Sequence, residues 1–202
     1  SLYDDLNGDF SIMSELRTNR IVPRDGLVSG TGIGGGIIQV KNTLFSGTDT
    51  VSCTNENALS YFDTSVACTI TPTRSDSKIL IGASMTGEGN SSNQENFTFR
   101  IKRVISGGAT SFIQGATAGD RSLGLGITGD STANATTSPS SFSINNYMDA
   151  PSTTSAVTYT VQISYSFGYG AGTYYVNRQV SDSDAGANGR FLSWITLMEV
   201  SG

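Results

Sequence analysis

The residues best placed by type and spacing to do chemistry lie in Ser181-Asp182-Ser183-Asp184-Ala185-Gly186, where two carboxylates stand two positions apart among hydroxyls. Oxygen-rich loops of that kind hold hard cations. The same letters make a polar turn in which Asp and Gly supply the backbone freedom. The turn is the reading taken forward, with no metal expected. Paired carboxylates could also do general acid and base work, the minimum a glycosidase requires. Glu56, Glu88, Glu95, Asp120, Asp130 and Asp149 are available for it, but Gly, Ser and Asn flank most of them, and solvated loops are expected instead. The sequence contains no histidine, which removes the commonest general base and metal ligand and with it any Ser-His-Asp or Cys-His nucleophile. Gly30-Thr31-Gly32-Ile33-Gly34-Gly35 matches the dinucleotide-binding letters, yet that site needs a strand before the glycines and a helix after them, and here a strand follows. A linker is expected. No catalytic residue and no cofactor emerge.

Tyr165, Phe167, Tyr169, Tyr174 and Tyr175 form the remaining cluster. Flat rings stack on sugars, but tyrosine is also a favoured strand residue, and packing in a core or an interface is expected. What must position all these groups is a set of strands. Val66, Thr69, Ile70 and Thr71, then Pro72 to Ser77, then Ile79, Leu80 and Ile81 read as a β-hairpin. Apolar and polar residues alternate in Phe97-Thr98-Phe99-Arg100-Ile101 and in Tyr159-Thr160-Val161-Gln162-Ile163, so one face of each strand is buried. Ten strands are predicted, near 37–45, 50–54, 65–71, 78–85, 96–104, 111–114, 141–147, 158–167, 173–180 and 191–200. The stretch 115–140 lacks periodicity and reads as an excursion with room for one short strand. The expected fold class is all-β: an antiparallel β-sandwich, jelly-roll-like head over residues 36–202, preceded by a short N-terminal arm over residues 1–35. The arm has too little to bury by itself and needs a partner to order it.

Charged residues make up only 14% of the chain, against about a quarter in an average protein, so hydroxyls and amides must solvate the surface. The net charge of -5 argues against a phosphate backbone as partner, and no nucleic acid is expected. No apolar run approaches the roughly 18 residues of a membrane span, and Asp4 and Asp5 stand where a signal peptide carries positive charge. Membrane insertion is not expected. Cys53 and Cys68 are too few for a disulfide framework and read as two small buried residues, with a bridge left open if their strands pair.

Four segments, taken together, resemble a family. Gly35-Gly36-Ile37-Ile38-Gln39-Val40 opens the domain, and Thr69-Ile70-Thr71-Pro72 with Ser77-Lys78-Ile79-Leu80 follows. Asp149-Ala150-Pro151 with Thr153-Thr154-Ser155-Ala156 comes next, and Tyr175-Val176-Asn177-Arg178 with Ile195-Thr196-Leu197-Met198-Glu199-Val200 closes it. Over residues 35–200 the chain is similar to the C-terminal head domain of tail-fibre-like proteins of bacteriophages, of the marine phage type. The resemblance implies a non-enzymatic virion protein, assembled in the host cytoplasm. It further implies a homotrimer whose head attaches the phage to a host surface glycan or protein. On this reading residues 1–35 dock on other tail or capsid proteins. A structural capsid-decoration or fibre-anchoring role is the alternative, with a two-carboxylate carbohydrate-active enzyme behind it. The family places no binding residue on this sequence. If the strands alternate up and down, the turns at 46–49, 73–77, 106–110, 148–155 and 181–189 lie at the end away from the arm. That expectation makes Asp149, Asp182, Asp184, Asn188 and Arg190 the receptor-binding candidates.

Overall fold

Alternating side chains need two apolar faces to meet, and in the computed structural model they do so as two antiparallel sheets packed face to face. The structure describes residues 36–54, 60–90, 97–119, 121–127, 139–165 and 171–201. Expectations for the arm 1–35, the linker glycines, Glu56, Glu95, Asp120, Asp130, Phe167 and Tyr169 lie outside the described residues. The strands are β1 (Ile37–Phe45), β2 (Asp49–Cys53), β3 (Phe62–Ile70), β4 (Lys78–Gly89), β5 (Phe97–Ile105), β6 (Thr110–Ile113), β7 (Gly126–Ile127), β8 (Ser140–Asp149), β9 (Val157–Tyr165), β10 (Gly172–Val176) and β11 (Ser193–Val200). The β-sandwich fold is as expected, and β7 is the short strand of the 115–140 excursion. Among the described residues no helix is long and apolar enough to cross a membrane.

The large sheet runs β1-β11-β4-β10-β2, with β8 on the other edge of β4, and the small sheet runs β3-β9-β5-β6, with β7 also on β5. The segment around Pro72 is therefore not a hairpin, because β3 and β4 belong to different sheets. Val66, Cys68 and Ile70 on one and Ile79, Ile81 and Ala83 on the other face each other across the core. Period-two alternation is the same whether two strands lie side by side or opposite one another, so the residues alone do not separate a hairpin from an arch. Cys53 in β2 and Cys68 in β3 are buried and free.

At one end of the core, rings replace aliphatic chains. Phe97 packs on Tyr165 and Tyr174, and Phe99 stacks on Phe142 at 4.9 Å between centroids. Room for them comes from the large sheet, where a Cβ at Gly89 would collide with Phe97 and one at Gly172 with Tyr165. Tyr165 and Tyr174 thus belong to the core, as expected of the aromatic cluster.

Two strands of the large sheet are broken in the middle. β10 and β11 both pair with the same edge of β4, at Gly87–Gly89 and Lys78–Ser84, and run in one direction. Their partners β2 and β1 do likewise. Asn177 stands at the break in the left-handed region, at φ 60°, which Asn tolerates better than most residues. Its Nδ2 donates to the carbonyls of Phe45 (2.5 Å) and Gly47 (2.8 Å), and its Oδ1 accepts from Ser193 Oγ at 2.6 Å. Its backbone N–H donates to Thr86 O at 2.8 Å. One fully buried side chain thus satisfies the carbonyls that the break takes out of the ladder.

The breaks overturn the strand count. β1 and β2 do not reverse direction, so the turn at 46–49 and the loop at 181–189 sit at mid-sheet. The turns at 73–77, 106–110 and 148–155 lie with Gly36 and Val200, at the end where the chain enters the domain. Simple alternation had put all five at the opposite end.

Candidate functional site

The candidate receptor residues fall into two groups. Asp182, Asp184, Asn188 and Arg190 lie in the excursion between β10 and β11, which starts where Asn177 ends one strand and closes through Phe191 N–H to Asn177 O at 3.0 Å. Within it Asp182 pairs with Arg190 and lies 4.0 Å from Arg178. Arg178 stacks on Tyr175, 4.0 Å from the ring centroid, and Arg178 and Arg190 form an isolated bridge. Asn188 Nδ2 donates to Ser183 O and Oγ, at 2.9 and 2.7 Å, so it shapes the turn. Asp184 is exposed and makes no such contact. The fold thus brings Asp182 and Arg190 together, with Arg178 as a third member that the sequence reading passed over, while Asn188 holds the turn at Ser183. Among the described residues no three His, Cys, Asp or Glu side chains converge on a metal position.

Asp149 is elsewhere. It pairs with Ile79 in β4, whereas the excursion leaves beside Thr86. Seven residues of strand separate the two levels, about 23 Å. Its carboxylate takes both oxygens to Arg103 Nη1 (2.7 and 2.9 Å) and accepts from Tyr159 Oη at 2.8 Å, while Arg103 Nε donates to Ser111 Oγ at 2.8 Å. Burial, then the neighbouring carboxylate, pushes the Tyr159 hydroxyl pKa upward, which keeps it a donor. Arg103 and Tyr159 are neighbours on the small sheet and Asp149 ends a strand of the large one, so the trio ties the sheets together.

Glu199 lies in the same row, on the other side of Ile79. Burial would raise its pKa, but hydrogen bonds led by that of Gln39 outweigh this and hold it at about 2. Gln39 Nε2 donates to Oε2 at 2.6 Å, and Thr73 N–H and Oγ1 both donate to Oε1 at 2.7 Å. The group fastens the connection between β3 and β4. Glu88, expected in a solvated loop, is wholly buried in β4 and accepts from Val180 N–H at 2.7 Å. β4 runs through its glycines to Gly89, so the glycines flanking Glu88 mark close packing, Gly87 against β10 and Gly89 against Phe97, and not a turn. Each of these three carboxylates holds structure through internal contacts.

Two surfaces escaped the sequence reading. On the outward face of the large sheet Val40, Met198, Leu80 and Met148 stand in register across β1, β11, β4 and β8. Val40 is 53% and Met148 46% exposed, and Leu44 and Ile38 extend the patch along β1. Trp194 lies over Gly82 on the same face. The signal was present: Val40 and Leu44 are the off-phase apolar residues of β1. On the outward face of the small sheet Arg100 occupies a polar position of β5 and is nonetheless 92% buried, being 8% exposed. Alternation assigned it to water.

No protein-family model and no curated protein matches the chain. Among solved structures it is similar to a chain in the structure of the infectious bursal disease virus Gx strain, at 8% identity and a TM-score of 0.33, over 80% of this chain and 40% of that one. The chain therefore spans less than half the length of that viral neighbour.

Proposed function

We propose that this chain is a virion surface protein, the head of a fibre-like homotrimer that attaches a phage to its host cell and performs no catalysis. The observation that carries the reading is the apolar row Val40, Met198, Leu80 and Met148 on the outward face of the large sheet, exposed at Val40 and Met148 and partly buried between them. Contiguous exposed apolar surface in an otherwise hydroxyl-rich chain marks a place where another protein sits, and a neighbouring head is the partner this reading gives it. The resemblance of residues 35–200 to phage fibre heads supports the same view, as does the commitment of Asp149, Glu88 and Glu199 to internal contacts. A decoration protein would use the same face on a capsid or tail, and the two readings part over whether host cells are bound.

Sedimentation of the 21.2 kDa chain tests the assembly. A trimer is expected, reduced to monomer by Val40→Asp with Met148→Asp. A folded monomer at every concentration overturns the assembly. Preincubating host cells with the purified protein should lower adsorption of the virus that carries it. Unchanged adsorption, with the protein found on particles, overturns attachment in favour of decoration.

A further inference from the structure

The outward face of the small sheet holds a cation, Arg100, that makes no ion pair among the described residues. Arg100 Nε donates to Gln162 Oε1 at 2.8 Å and Nη1 to Gln114 Oε1 at 2.7 Å, both neutral acceptors. The guanidinium carbon lies 3.8 Å from the Tyr61 ring centroid and 3.7 Å from that of Phe112. Two rings that close to one carbon occupy its two faces, so the group is clamped flat. Tyr61 is in turn fixed by its hydroxyl, which donates to Leu123 O at 2.6 Å. The nearby carboxylate, Asp63, is spent: Oδ2 pairs with Lys102 and Oδ1 accepts from Gln162 Nε2 at 2.7 Å.

Buried charges are ordinarily paired. The rings here desolvate the guanidinium and attract it weakly through their faces, but they bring no negative charge. Nη2 has no hydrogen-bond partner among the described residues. Beside it Phe112 is 43% exposed, with one face on Arg100 and the rest open. A rigid, preoriented donor pair next to an open aromatic ring fits a ligand that combines a carboxylate with a flat apolar ring face.

We propose that Arg100 and Phe112 form a binding site for an acidic sugar, a uronic acid unit of a polysaccharide, whose carboxylate takes Nη2 and whose ring rests on Phe112. The site names a receptor chemistry for the attachment reading and rests on it for biological meaning. Its test uses only the full chain and free sugar, so it fails separately from attachment, which host-cell adsorption decides. Titration by calorimetry or ligand-observed NMR with D-glucuronate should give binding in the millimolar range typical of a single sugar unit, with D-glucose and acetate each at least tenfold weaker. Arg100→Gln and Phe112→Ala should each weaken glucuronate at least tenfold, with thermal melting showing that the domain remains folded. If Arg100→Gln does not fold, Phe112→Ala at its half-exposed position decides alone. Acetate binding as well as glucuronate, no binding at tens of millimolar, or binding indifferent to Phe112→Ala overturns the site.

Discussion

Replacing Asn177 by alanine should cost more stability than any other single polar substitution in the large sheet. The buried side chain makes three hydrogen bonds, a buried one with Ser193 Oγ and two partly buried ones to Phe45 O and Gly47 O. At about 1 kcal/mol each they contribute about 3 kcal/mol. Alanine at φ 60° adds about 1 kcal/mol of backbone strain that asparagine tolerates better. The expected loss is about 4 kcal/mol, a large share of the roughly 5–15 kcal/mol that holds a domain folded. Asn177→Gly loses the same bonds without the strain and should cost about 3 kcal/mol. Urea denaturation of the three proteins measures both differences, with an unchanged slope showing that the denatured state is the same. A loss below about 1 kcal/mol for Asn177→Ala would refute the claim that this residue bridges the broken strands. Equal losses for alanine and glycine would refute the strain argument.

Asp149→Asn should destabilise by about 3 kcal/mol, because it leaves Arg103 partly buried without its counter-charge, while host adsorption by the folded fraction stays unchanged; thermal melts beside adsorption assays separate the two. The depressed pKa of Glu199 makes folding stability depend on acid: its contribution is complete above the ordinary carboxylate value of 4.5 and fades as pH falls toward about 2. Glu199→Gln should flatten that part of the stability-against-pH curve and lower the plateau at neutral pH, as followed by denaturation at stepped pH. Gly87→Ala would drive a methyl group into the Tyr175 carbonyl and the Tyr174 ring, costing about 3 kcal/mol, whereas Gly186→Ala meets nothing and should stay within about 0.5 kcal/mol in the same denaturation assay.

How far the sequence carried the reading depended on which residues set the pattern. Alternation in Phe97 to Ile101 and Tyr159 to Tyr165 puts both strands where they stand, but it does not report burial, because the polar residues Thr98, Arg100, Thr160, Gln162 and Ser164 on the face assigned to water are buried as well. It says nothing of which sheet a strand joins, so β3 and β4 read as a hairpin although they close an arch. Nor does it reveal a break, since a broken strand and two short strands look alike until Asn177 is seen holding both halves. The candidate loop was legible because Asp, Ser, Gly and Asn cluster there. Asp149 misled for the same reason: its neighbours Ala150 and Pro151 signal a turn, while the partner that buries it, Arg103, is 46 positions away. Arg100 was hidden by its own chemistry, because a guanidinium between a ring just before β3 and a ring of β6 leaves no local trace in a polar-apolar pattern.

The pairing of β1 with β11 sets a timetable for biosynthesis. Ile37 meets Val200 across the ladder, and β11 lies between β1 and β4, so the first strand of the domain has no neighbour until the last one has been made. A nascent chain must hold Ile37, Ile38, Val40 and Leu44 unpaired until β11 has been made, and closure then joins the two ends of the domain across its greatest sequence separation. Such non-local pairing is slow, in the range of about milliseconds to seconds, and an unpaired apolar strand is in the meantime a template for the wrong chain. Where many copies are synthesised close together, the emergence of β11 is the event that ends this vulnerability, and a truncation within β11 would remove the middle of a sheet and not its margin.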